Sequence, residues 1–230
     1  MRFLIIPLLT VLATAYCLAA TMHEITQDEI DLIVKSHNQH RAKVAAGRVP
    51  GQPAGVLEPL VWDDEVAQHA YNYMSNDVDG HGSCPTWHNP DKCLYHENTV
   101  DSLGENLAWG SDDLEEAIDL WVKEHKNYTY SRAPNGAKHS GAMIGHYTQV
   151  VWARTKRVGC AIANKCYKNG HTYEMMLLCN YLPAGNMNGE FPYYVTDPPS
   201  VADGTMDSCQ YEEYKRKNYD PWKKILFKRP

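Results

Sequence analysis

The cysteines of this chain constrain its fold more than any other feature of the sequence. Residues 1–20 begin with Met1-Arg2, continue with an apolar run and end in small residues, as a secretory signal peptide does. Of seven cysteines, Cys17 lies inside this segment. The other six are Cys84, Cys93, Cys160, Cys166, Cys179 and Cys209. An exported chain with an even number of cysteines is expected to pair them, so we predict a disulfide-stapled fold with three bridges.

The exact site of signal cleavage stays open. Cleavage after Ala19 or Ala20 removes Cys17, whereas cleavage at Ala13-x-Ala15 would leave that cysteine in the mature chain. A membrane-spanning helix is the alternative, but the apolar run is shorter than the roughly 20 residues that a span requires. We therefore expect residues 1–20 to be removed and the protein to be secreted and extracellular.

The remaining length fits one domain with a sizeable core and a C-terminal extension. We assign residues 21–196 to the domain and 197–230 to the extension, because Asp197-Pro198-Pro199 interrupts the pattern. The net charge of −6 argues against a general polyanion ligand. There is no nucleic-acid motif and no phosphate-binding glycine loop, so a nucleic-acid partner is not expected.

Apolar spacing predicts three helices. The capping box Thr26-Gln27-Asp28-Glu29 begins the first, which ends before Gly47. Trp62-Asp63-Asp64-Glu65 begins the second, and Ser111 is expected to cap the third. Between these two helices, the Gly-, Pro- and Asn-rich composition from Asp77 to Asp101 predicts a long loop held by cysteines.

Short apolar or alternating runs predict strands at Thr148–Ala153, Val158–Ala163 and Tyr173–Tyr181. Lys168-Asn169-Gly170 is expected to form the hairpin turn between the last two runs. The pattern predicts an α+β protein in which helices flank a small antiparallel sheet.

Two segments carry a family resemblance. Residues 145–155 read Gly-His-Tyr-Thr-Gln-Val-Val-Trp-Ala-Arg-Thr and are followed by Val158-Gly159-Cys160. Residues 176–187 read Met-Leu-Leu-Cys-Asn-Tyr-Leu-Pro-Ala-Gly-Asn-Met. Together they resemble both signature segments of the CAP superfamily, which groups cysteine-rich secretory proteins, antigen 5 and pathogenesis-related 1 proteins. The resemblance implies a three-layer α-β-α sandwich.

The resemblance also implies disulfide pairs. It suggests Cys160 with Cys179 and Cys84 with Cys166, which leaves Cys93 for Cys209 in the extension. The same extension carries basic residues beside Trp222 and Phe227. It is interpreted either as a segment tethered through Cys209 or as a surface that contacts an anionic membrane.

Members of this superfamily place two histidines and two glutamates around an open cleft. The matching motifs are Gly-Glu-Asn-Leu for Glu105, Trp-x-x-Glu for Glu124 and Gly-His-Tyr-Thr-Gln for His146. His88 is preferred as the second histidine because the spacing from Cys84 matches the family. His81 and His96 are alternatives in the same loop, and His37 and His40 on the first helix are interpreted as a packed pair or as metal ligands.

Such a cleft supports more than one kind of chemistry. His88 and His146 can hold Zn²⁺ or another divalent cation weakly, with Glu105 and Glu124 either orienting the rings or acting as ligands, whereas catalytic zinc sites normally supply three protein ligands. A hydrogen-bonded His–Glu network without metal is the alternative. A metal-dependent hydrolase would need a nucleophile such as Ser140 or Thr148, but no nucleophile elbow and no His-Glu-x-x-His helix is present. We do not expect an enzyme.

Lipid binding is the function that the resemblance favours. Superfamily members sequester sterols with a loop just before the Gly-His segment, and some hold fatty acids between helices. The lipid-binding residues implied here are Tyr128, Tyr130, Ser131, Met143 and Ile144. Asn127 begins an N-glycosylation sequon beside this loop. Binding to an extracellular receptor, as in a venom-allergen-like immune modulator, is the alternative function.

Overall fold

The structure, a computed structural model, describes residues 19–111, 113–133, 138–139 and 141–195. It contains four α-helices, a 3₁₀ turn and nine strands within those residues. In chain order they are β1 (Thr21–His23), α1 (Gln27–Ala45), β2 (Val61–Trp62), α2 (Asp64–His81), β3 (Cys93–Tyr95), β4 (Val100–Ser102), β5 (Gly104–Trp109), α3 (Leu114–Lys123), the 3₁₀ turn (Glu124–Asn127), β6 (Lys138–His139), β7 (Ala142–Met143), α4 (Gly145–Val150), β8 (Arg157–Lys168) and β9 (His171–Leu182).

The main sheet is built around the long hairpin of β8 and β9. Its order is β1-β8-β9-β5, with antiparallel pairs, and β2 adds a short parallel pair to β8. At the hairpin turn Asn169 and Gly170 both have positive φ, 51° and 86°. Positive φ at both central residues is what a two-residue hairpin loop requires, so the predicted turn is confirmed.

Alternating side chains of the sheet enter two separate cores. Ile162 and Leu177 pack with α1, α3 and α4 on one face, whereas Ala161 and Leu178 pack with α2 on the other. A Cβ at Gly159 would lie 2.1 Å from the backbone nitrogen of Ala67, so this glycine permits the close approach of α2 to β8. The predicted three-layer α-β-α sandwich is confirmed.

The helix starts agree with the sequence in two cases out of three. Thr26 and Glu29 form the reciprocal capping box of α1, and Asp63 caps α2. α3 is capped by Asp113, whose carboxylate accepts from the Glu116 backbone N–H at 2.7 Å, so the prediction of Ser111 as the cap was wrong. The nearer aspartate sits at the position whose side chain reaches the third N–H of the helix.

Two other sequence predictions were also wrong. α2 continues to His81, so the loop predicted from Asp77 begins later, and it contains the β3–β4 hairpin. The run Thr148–Ala153 is not a strand, because residues up to Val150 belong to α4. This short helix is buried on nearly all sides, and an apolar run of that length does not distinguish a buried helix from a strand.

The structure forms disulfides between Cys84 and Cys166 and between Cys160 and Cys179, the pairs that the resemblance implies. Cys93 is half-buried at the start of β3 and bonds to no cysteine within the described part of the chain. Its predicted partner Cys209, like the whole extension 197–230, lies outside the described residues, so that pairing stays a prediction.

The described residues begin close to the predicted site of signal cleavage. Ala20 is buried, and its backbone N–H donates to the carbonyl of Gly82 at 3.0 Å. β1 follows directly and pairs with β8. No helix in the described ranges is long and apolar enough to cross a bilayer.

Candidate functional site

The four cleft residues form two His–Glu pairs. His88 Nδ1 lies 2.7 Å from Glu105 Oε1, and His146 Nδ1 lies 2.6 Å from Glu124 Oε1. An ionised carboxylate only accepts hydrogen bonds, so each Nδ1 carries a proton, and in the neutral ring the lone pair is on Nε2. Each carboxylate therefore fixes the tautomer of its histidine.

Glu124 also holds the start of α4. It lies where α3 passes into the 3₁₀ turn, and its Oε2 accepts from the backbone N–H groups of His146, at 3.0 Å, and Tyr147, at 3.1 Å. A carboxylate is favourable at this position because the first N–H groups of a helix have no partner inside it. The His146 ring stacks on Trp121, with centroids 6.4 Å apart and planes at 19°.

Glu105 plays the same part for the loop that carries His88. Its side chain is 2% exposed, and its Oε1 also accepts from the Asn89 backbone N–H at 3.0 Å. The Tyr73 hydroxyl donates to the Trp87 carbonyl at 2.8 Å, and burial raises the pKa of Tyr73. The His88 side chain itself is 49% exposed, so its ring faces the open cleft.

A buried network supports His146 from below. The Tyr181 hydroxyl donates to His37 Nε2, at 2.8 Å, and accepts from Asn106 Nδ2, at 3.2 Å, while Asn106 Nδ2 also contacts the His146 carbonyl, at 3.1 Å. His37 Nδ1 lies 2.8 Å from the Ile33 carbonyl. Burial lowers the pKa of His37 to about 4, which keeps the ring neutral.

His37 and His40 do not act together. The His37 ring is fully buried in that network, and His40 Nε2 lies 3.1 Å from Asp119 Oδ1 on α3. The structure places them as packed residues that join α1 to the rest of the protein.

The cleft has two lobes, which share His88, Met143 and His146. We name the lobes for the side chains that line them. The polar lobe, about 440 Å³, includes Glu105, Gln149 and Asn186, and the apolar lobe is about 420 Å³. The remaining residues of the apolar lobe are Thr86, Trp87, Leu107, Ala108, Trp109, Leu120, Trp121, Glu124 and Lys168.

The five predicted lipid-binding residues are mostly packed into the protein. Tyr128 and Ile144 are buried in the main core, and the Tyr128 hydroxyl donates to the Ser131 carbonyl at 2.7 Å. Tyr130 donates to the Tyr193 carbonyl at 2.6 Å. Of the five predicted residues, Met143 alone lines the cleft, where it is 38% exposed.

Three further predicted residues have clear positions. Asn127 ends the 3₁₀ turn with an exposed side chain, which suits glycosylation. Thr148 is buried and donates to Asn186 Oδ1 at 2.6 Å, so its hydroxyl does not face the cleft as a nucleophile would. Ser140 lies outside the described residues.

The two histidines have the features of metal ligands but do not form a complete site. Neither Nε2 has a hydrogen-bond partner among the described residues, and a carboxylate orients each ring, as in many zinc sites. Among the residues that the structure describes, however, no three His, Cys, Asp or Glu side chains are grouped to hold an ion. A cation here would need ligands from water or a partner.

Sequence reasoning missed most residues of the apolar lobe, among them Lys168 and Trp109. Lys168 Nζ lies 3.3 Å from the centre of the Trp109 ring. Lys168 belongs to the hairpin turn in the sequence and Trp109 lies at the end of β5, so no local pattern connects them. Their contact depends on how β8, β9 and β5 are arranged in the sheet.

Comparison with known proteins agrees with this architecture. The profile described as "CAP: Cysteine-rich secretory protein family" matches residues 34–181. Venom allergen 5 of Vespa magnifica is 37% identical over 168 residues, which cover 70% of this chain and 69% of the relative. Pathogenesis-related protein 1C of Nicotiana tabacum is 36% identical over 176 residues, 73% of this chain and 80% of the relative.

Solved structures show the same fold. The match to a crystal structure of NaASP2 with Zn²⁺ has a TM-score of 0.57 and 26% identity. It covers 77% of this chain and 90% of the NaASP2 chain. The match to Schistosoma mansoni venom allergen-like protein 4 has a TM-score of 0.56 and 25% identity. It covers 75% of this chain and 97% of the other chain. With the profile spanning more than half of its length and these relatives covering most of it, the chain belongs to the cysteine-rich secretory protein family.

Proposed function

We propose that this protein is secreted and acts without catalysis, by holding an amphipathic lipid, a sterol or a fatty acid, in the apolar lobe of the cleft. One observation carries the proposal. Trp87, Leu120 and Met143 are large apolar side chains that are 81%, 39% and 38% exposed, and all three line the same lobe. Apolar residues gathered at a concave surface are typical of a ligand site.

The floor of the lobe is apolar as well. Leu107, Ala108 and Trp121 are buried beneath the exposed side chains. A ligand that covers this surface gains about 25 cal/mol for each Å² of apolar area removed from water. The lobe volume falls within the roughly 300 to 1,000 Å³ that is usual for small-molecule sites.

The proposed lipid site differs in place from the loop that the sequence indicated. Tyr128 and Ile144 are already in the core, so they offer no surface to a ligand unless the loop opens. Met143 belongs both to that loop and to the lobe. The loop therefore contributes one wall of the proposed site.

Direct binding of cholesterol and palmitate tests the proposal. We expect saturable binding of at least one of them, weakened about thirtyfold or more by Trp87→Ala combined with Leu120→Ser, since each removes about 1 to 2 kcal/mol of apolar contact. Tyr71→Ala, an exposed aromatic residue of α2 outside the lobe, is the matched control and should bind as the parent does. The proposal is wrong if neither lipid binds.

We also propose that His88 and His146 hold a divalent cation weakly, with Glu105 and Glu124 orienting the rings. The supporting observation is that both Nδ1 atoms are bonded to carboxylates, which leaves both Nε2 atoms free. The similar protein NaASP2 has a crystal structure with Zn²⁺. Zn²⁺ when bound would act as a Lewis acid or bridge to a partner.

Calorimetry with Zn²⁺ tests this second proposal. We expect one weak site in the parent protein and its loss in His146→Ala. His171→Ala, which removes an exposed histidine of β9, should leave that site intact. Equal Zn²⁺ affinity in His146→Ala and the parent would show that the ion binds elsewhere.

A further inference from the structure

Lys168 and Trp109 form one end of the apolar lobe. Lys168 is the last residue of β8, and its half-buried side chain reaches to the face of Trp109 at the end of β5. A cation at 3.3 Å from the centre of an indole ring is held there by the charge distribution of the ring. The ammonium group therefore has a defined position beside apolar surface.

This ammonium group has no carboxylate partner within the described part of the chain. By contrast Lys165, three residues earlier on the same strand, forms an ion pair with Glu174. The acidic side chain of the lobe, Glu124, is already bonded to His146 and to two backbone N–H groups. Burial lowers the pKa of Lys168, as expected for a cation that has lost part of its hydration.

We infer that Lys168 determines the charge of the ligand, so that the apolar lobe prefers an amphiphile with a carboxylate headgroup over a neutral one. This inference rests on the proposed lipid-binding function. A partly desolvated ammonium group gains a charge-assisted hydrogen bond from a carboxylate but little from a hydroxyl headgroup. The acyl chain would lie along Trp121 and Leu120, which continue the same lobe.

The test compares two amphiphiles that differ only in the headgroup, palmitate and hexadecanol. Their affinities are measured with EDTA present, so that no metal ion binds the carboxylate. We expect the parent protein to bind palmitate about tenfold more tightly, the usual size of one charge-assisted hydrogen bond. Lys168→Gln should lose this preference because palmitate binds it more weakly, and its circular dichroism spectrum shows whether the variant is folded.

Two further variants complete the test. Lys168→Arg keeps the charge and should keep the preference for palmitate, whereas Lys165→Gln removes a nearby lysine that is already paired and should change neither affinity. Equal affinities for palmitate and hexadecanol in the parent, or a preference that survives Lys168→Gln, would overturn the inference and leave lipid binding intact. Absence of binding by both amphiphiles would instead overturn the lipid-binding function and the inference with it.

Discussion

The two lobes of the cleft differ in how many of their side chains already have partners within the described part of the protein. In the polar lobe, Gln149 accepts from the Gly185 N–H at 2.9 Å and donates to Thr155 Oγ1 at 3.1 Å. In the apolar lobe, Trp87 is exposed and Lys168 has no carboxylate partner among the described residues. Satisfied buried groups stabilise a fold, whereas exposed apolar groups can bind a ligand without losing any contact. We therefore assign stability to one lobe and binding to the other.

The largest effect is expected from pH, through His37, which Tyr181 links to Asn106 of the polar lobe. Its pKa falls from 6.5 to about 4 in the folded protein, so the unfolded chain takes up its proton first as the pH falls. The free energy of unfolding should then drop by about 3 kcal/mol between pH 6.5 and pH 4 because of this residue. The contribution is absent above pH 6.5, where both states are neutral.

Urea unfolding of the parent and of His37→Gln over this pH range measures the effect. Glutamine does not titrate, so the variant should lose less stability on acidification. Parallel curves for the two proteins would show that His37 is not the cause.

A smaller loss of stability is expected for Gln149→Ala in the polar lobe. The change removes the buried Gln149 side chain and leaves the partly buried Gly185 N–H without its partner, which should cost about 2 kcal/mol of unfolding free energy. Palmitate affinity should stay within about twofold, because the residue does not line the apolar lobe. A variant of normal stability that no longer bound lipid would contradict the division between the lobes.

The opposite result is expected for Trp87→Ala alone. Since this side chain is 81% exposed, its removal should change the free energy of unfolding by about 0.5 kcal/mol or less. Lipid affinity should nevertheless fall several-fold. Thermal unfolding and a lipid titration on the same sample give both numbers, and a strongly destabilised variant would mean that Trp87 belongs to the core.

Only a small change in stability is expected for His88→Ala. The His88–Glu105 pair is half exposed on the histidine side, so its loss should cost less than about 1 kcal/mol. His88→Ala should weaken Zn²⁺ binding, as His146→Ala is expected to do. Calorimetry of both variants would contradict a shared site if His88→Ala kept the affinity of the parent.

Much of the fold could be predicted because local signals and tertiary packing agree. The capping box at Thr26, the Asn169-Gly170 turn and the alternation along β8 and β9 each specify structure within a few residues. The prediction failed at α4, where apolar residues on all sides hide the helical period. It also failed at Ser111, because the choice between neighbouring capping residues depends on where the helix begins.

The sequence by itself determined three helices, the β8–β9 hairpin, the family resemblance of the two signature segments and the cleft residues Glu105, Glu124 and His146. These three residues could be identified because each lies in a short sequence motif of the family. Only the tertiary structure decided that Tyr128 and Ile144 are core residues and that Lys168 lies over Trp109. Burial and contact between distant strands depend on how layers pack, and a single sequence carries no local pattern for either.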